Sequence, residues 1–123
     1  MALEPGHTYI NCGHLWVVIA ILPGTNEMAL VANLTSKQDG SDTTLILKNG
    51  DHPFLKHDTV MNYIDTRDYG KDDLASRIEK RYFEKREPFS SNILRKIQQG
   101  LLDSPNTPKL YKKSCTQIFG KDR

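Results

Sequence analysis

Gly50-Asp51-His52-Pro53, followed four residues later by His57, puts two of the chain's four histidines into one polar loop. The loop opens directly onto an apolar segment. Imidazole is the side chain whose ordinary titration lies nearest neutral pH, so a histidine pair in a loop is a candidate acid–base or ligand site. The other two histidines, His7 and His14, flank the first strand signal, and a small barrel would bring all four to one mouth. Asp51, His52, His57 and Asp58 also offer oxygen and nitrogen donors to a metal. Their spacing matches no ligand signature such as HExxH, and no metal or other cofactor is expected. Asp51, between Gly50 and Pro53, has a second reading as an Asx-type turn former, and His52 is biased to extended backbone by the proline after it.

These residues need a scaffold, and the 123-residue chain has the length of one domain, 1–123. Thr8–Ile10 reads as a short strand. Leu15–Leu22 is an unbroken apolar, β-branched run, the pattern of a strand buried on both faces. Pro23-Gly24-Thr25-Asn26 turns the chain into Met28–Leu34, and the two strands predict a hairpin. Thr43–Leu47 and Thr59–Ile64 complete the strand set. The period then changes. Asp72–Lys80 has the spacing of a helix, and a second helix, capped by Ser90 or Ser91, runs to about Leu102 with Ile93, Leu94, Ile97 and Leu101 on one face. Gly100 marks its end, Pro105 and Pro108 oppose further helix, and a loosely held basic tail follows. The expected fold is mainly β (α+β): an antiparallel sheet or small barrel over 5–66, a helical part over 71–103 and a tail over 109–123.

Charge is unevenly spread. Residues 1–66 hold three Lys/Arg against seven Asp/Glu, a balance of −4, whereas residues 67–123 hold fourteen against eight, a balance of +6. The basic half suits nucleic acid, an acidic partner or simply a solvated helical face. Cys12 and Cys115 form no CxxC pair and read as reduced thiols, and no leader pattern or membrane-length apolar run is present, so a cytoplasmic location away from membranes is expected.

Three pieces resemble the PemK/MazF (Kid-type) growth-inhibitor toxins. Pro5-Gly6-His7 is similar to the family's glycine-led opening of the first strand, Leu15–Ile21 to the apolar strand that follows, and Leu34-Thr35-Ser36-Lys37 to the strand end in Leu-Thr-Ser. The helix from Ser91 to Leu102 resembles the family's C-terminal helix. The resemblance implies an SH3-like barrel, a homodimer, metal-independent cleavage of single-stranded RNA and an antitoxin partner that occludes the RNA groove. It also implies a catalytic pair, an arginine before the second strand and a threonine or serine after the third. Thr35 matches the second; where Arg-Pro is expected, this chain reads His14-Leu15.

Cleavage of RNA by its own 2′-hydroxyl needs a base, an acid and a donor for the phosphorane charge, and two histidines with a hydroxyl or a lysine supply them. The residues assigned to this chemistry are His14, Thr35, His52 and His57, with Ser36, Lys37, Lys56, Tyr63 and Arg67 as RNA or phosphate contacts. The alternative is a non-catalytic module of the same fold that binds nucleic acid or protein. Its support is the interleaving of Tyr63, Tyr69, Tyr82, Phe83 and Phe89 with basic side chains, a pattern that also suits single-strand stacking.

Overall fold

Strand pairing in this chain is antiparallel throughout. The computed structural model describes residues 2–119. In chain order these form β1 (Thr8–Asn11), β2 (His14–Leu22), β3 (Met28–Ser36), β4 (Ile46–Leu47), β5 (Thr59–Gly70), α1 (Lys71–Glu79), β6 (Glu84–Arg86), α2 (Ser91–Asp103) and α3 (Lys109–Phe119). The six strands make one sheet in the order β4-β5-β3-β2-β1-β6, curled into a half-barrel with three helices. The expected mainly β architecture with late helices is the one the chain adopts.

The sheet is covered on both sides. On one face Leu15, Val17, Ile19, Leu30, Met61 and Tyr63 pack with Ile97 and Leu101 of α2 and Cys115 of α3. On the other, Tyr9, Trp16, Val18 and Val31 pack with Leu74, Ala75 and Ile78 of α1. This is why β2 and β3 read as continuous apolar runs rather than as alternating ones. A bulge between Val18 and Ala20 breaks the alternation and turns Ile19 and Ala20 to the same core.

Four elements differ from expectation. The strand expected over Thr43–Leu47 shrinks to Ile46–Leu47, because Asp42 accepts hydrogen bonds from Thr44 N (2.9 Å) and Thr44 Oγ1 (2.6 Å) and bends the start of the segment out of the ladder. β5 runs six residues past Ile64 to Gly70, since the polar stretch pairs with β3 from Met28 to Val31. β6, the wholly charged Glu84-Lys85-Arg86, pairs with Thr8–Ile10 as an edge strand. Residues 109–119, expected as loose tail, form α3. Pro108 does not oppose that helix but stands immediately before its first residue, its carbonyl accepting from Lys112 N at 3.0 Å. The tail's last residues, 120–123, lie outside the described residues.

α3 is held by its buried face. Cys115 is fully buried and its thiol is pushed up to about 12 by that burial, so it packs as a small apolar group, whereas Cys12 is exposed. The turn between α2 and α3 is tied to the loop before β4 through Asp42, which accepts from Ser104 Oγ at 2.6 Å. Burial alone would raise the Asp42 carboxyl, but hydrogen bonds from Ser104, Thr44 and Asn106 outweigh it and hold the group below its ordinary value. Its contribution to stability is therefore present above the unfolded value of 3.8 and is lost as the pH falls through the lower folded one. Acid unfolding of the wild type is expected to steepen in that window relative to Asp42→Asn, and identical slopes would contradict the assignment.

Candidate active site

The β1–β2 hairpin turn, the ends of β3 and β6 and the loop before β5 meet at an open cleft of about 660 Å³. The β1–β2 hairpin turns on Cys12 and Gly13, both left-handed at φ 52° and 79°, as a two-residue type I′ turn requires. That turn delivers His14 to the rim of the cleft as the first residue of β2. His14 Nδ1 lies 3.4 Å from the Leu34 carbonyl. The carbonyl only accepts, so Nδ1 is the donor in that contact and Nε2 is left to meet a ligand.

Thr35 and Ser36 end β3 beside it, paired with Val60 and Thr59 of β5. The backbone of Lys37 donates to Asp58 O at 3.2 Å and draws the loop before β5 across the end of β3. His57 thereby reaches Ser36, with Ser36 Oγ and His57 Nε2 2.7 Å apart. This is a short hydrogen bond between a hydroxyl and an imidazole, and it fixes the ring beside the end of β3. Lys56 also lines the cleft, its ammonium donating to Pro53 O at 3.3 Å.

His52 does something else. It is 2% exposed, and both ring nitrogens are engaged: Nε2 donates to Glu87 O at 2.6 Å and Nδ1 accepts from Phe54 N at 3.0 Å. Its ring packs against Phe89 with centroids 4.8 Å apart. Glu87 O also accepts from Thr8 Oγ1 at 2.6 Å, so both lone pairs of that carbonyl are used. β4 and β6 are the two edges of the sheet, and His52 joins the loop after one to the chain after the other. The half-barrel is bridged here by a side chain, and the bridge fixes the loop that carries Phe54, Lys56 and His57.

Two of the four histidines therefore meet at the cleft rather than all four. His7 stays at the N-terminal turn, where its Nδ1 accepts from Glu4 N at 3.3 Å. Asp51 holds the turn of its own loop, accepting from Lys48 N at 2.8 Å. Lys37 contributes backbone and is not among the residues lining the cleft. Tyr63, expected at RNA, is buried beneath α2, where its hydroxyl donates to Ile97 O at 2.8 Å. Burial, with the Asp42 and Asp103 carboxylates nearby, pushes its phenol well above the usual range. Arg67 lies over the Trp16 ring, 5.2 Å from its centroid, among the side chains of the α1 face. Neither reaches the cleft. Among the described residues no group of three or more His, Cys, Asp or Glu could hold a metal ion.

The residue that sequence reasoning missed is Arg86. As the last residue of β6 it lines the cleft with His14, Thr35, Ser36 and His57. Its guanidinium lies over the Phe54 ring, 5.6 Å from the centroid. Nothing in a charged tripeptide distinguishes an edge strand from a solvated loop, so only the pairing with β1 reveals it.

Comparison with protein-family models, with curated proteins and with solved structures returns no match. Among the described residues no helix is long and apolar enough to cross a membrane.

Proposed function

We propose that the chain is a toxin-type endoribonuclease that cleaves single-stranded RNA without a metal. The observation that carries this reading is the Ser36–His57 hydrogen bond in a cleft also lined by His14 and Thr35. In this reading His14 Nε2 takes the proton of the 2′-hydroxyl, whose oxygen attacks the adjacent phosphorus. His57 delivers a proton to the departing 5′-oxygen, with Ser36 holding the imidazole in place. Thr35 and Lys56 donate to the phosphate oxygens as charge builds on them. The P–O5′ bond breaks as the P–O2′ bond forms, leaving a 2′,3′-cyclic phosphate and a 5′-hydroxyl.

The resemblance to PemK/MazF toxins supports the same reading, and with it a homodimer in the cytoplasm restrained by an antitoxin. Purified protein incubated with single-stranded RNA in EDTA is expected to yield fragments ending in cyclic phosphate. Induced in cells, the wild type is expected to arrest growth and degrade RNA, while His14→Ala, Thr35→Ala together does neither. Intact RNA and equal growth in both would remove the enzyme reading. Strand binding without cleavage would leave the non-catalytic module in its place.

A further inference from the structure

Arg86 is a guanidinium with an unmet donor. It lines the cleft, and among the described residues no carboxylate lies within ion-pair distance of it and no hydrogen-bond acceptor meets its Nε, which is shielded from solvent. Stacking on Phe54, rather than an ion pair, keeps it in place. A charged group partly withdrawn from water with a donor unmet is costly, and an anion that accepts from it removes the cost. The arginine fork presents Nε–H and Nη–H side by side, the geometry that two oxygens of one phosphate accept together. Across the same cleft His14, Thr35, Ser36 and His57 supply two imidazoles and two hydroxyls, and the acidic residue on the lining, Glu87, makes no ion pair with Arg86.

We infer that Arg86 is the phosphate-holding residue of the cleft, gripping a phosphodiester of the bound strand while Phe54 braces the guanidinium from beneath. This rests on the reading of the cleft as an RNA site, and it deepens that reading by naming the group that binds the backbone. Arg86 stands at the end of an edge strand, seventy-two positions from His14, so the arginine absent from the start of β2 is supplied by a different part of the chain. Its backbone pairs with Thr8 whatever the side chain, so truncation leaves the ladder in place.

The test uses a DNA oligonucleotide, which has no 2′-hydroxyl and is not cut, together with inorganic phosphate as the minimal probe. Wild type, Arg86→Ala and Arg86→Lys are compared by fluorescence anisotropy for the oligonucleotide, by NMR titration for phosphate and by thermal unfolding for integrity. Arg86→Ala is expected to bind the oligonucleotide about 10–100-fold more weakly, the loss typical of a charge-assisted contact, with an unchanged melting temperature. Arg86→Lys is expected to recover only part of the loss, because a lysine restores the charge but not the fork. Wild-type affinity in a folded Arg86→Ala variant would overturn the inference. RNA cleavage is read separately on the wild type: Arg86-dependent binding with no cleavage would end the endoribonuclease reading and leave this one standing, whereas cleavage with Arg86-independent binding would do the reverse.

Discussion

His57→Ala is expected to slow RNA cleavage by about 10²–10⁴-fold, the usual contribution of one general acid or base, which corresponds to roughly 3–5 kcal/mol of barrier. The side chain is exposed and, among the described residues, its polar partner is the Ser36 hydroxyl, so the fold does not depend on it and the melting temperature should stay within a degree or two. Ser36 merely exchanges an imidazole for water. The pH–rate profile, two-sided when an acid and a base both act, should lose one limb. His52→Ala is the informative contrast. It deletes two hydrogen bonds and the packing on Phe89 at a buried position, so activity should fall together with stability as the loop carrying His57 is released. A His57→Ala protein that cuts RNA at the wild-type rate would remove the imidazole from the mechanism, whatever His52→Ala did.

The second large effect concerns stability. Gly100→Ala should raise helix propensity by roughly 1 kcal/mol, since the residue lies inside α2. It is nevertheless expected to destabilise the protein. An added Cβ would overlap the Tyr63 hydroxyl and stand 2.9 Å from the ring carbon that bears it. Tyr63 is fully buried and its hydroxyl is committed to Ile97 O, so it has nowhere to move without leaving a polar group unpaired. Overpacking and the broken hydrogen bond together cost about 2–4 kcal/mol net, or roughly 6–15 °C in Tm for a chain of this size. Tyr63→Phe in the Gly100→Ala background should recover part of the loss, because it removes the atom in conflict, and a double-mutant cycle measures that coupling. An unchanged or raised Tm in Gly100→Ala would show that α2 has room to shift away from the sheet. Gly100 is therefore the point at which a helix lies directly on a tyrosine, and not a helix terminator.

What the chain determined locally is what depends on neighbours in sequence. The unbroken apolar runs of β2 and β3, the Cys12-Gly13 turn and the Ser90 cap, whose hydroxyl accepts from Ile93 N, follow from side-chain branching, backbone sterics and short-range hydrogen bonding. His14, Thr35 and His57 stood out by residue type and position, and they do reach one cleft. Only the tertiary structure separated His57 from His52. Five residues apart in one loop, they read alike until burial and the Glu87 carbonyl made one a latch while the other faced Ser36. It also turned Tyr63 inward beneath Gly100, ordered α3 behind Pro108 and brought Arg86 to the cleft. Each of those outcomes is set by a contact between residues far apart along the chain, and no local pattern encodes which distant partner a charged or aromatic side chain will meet.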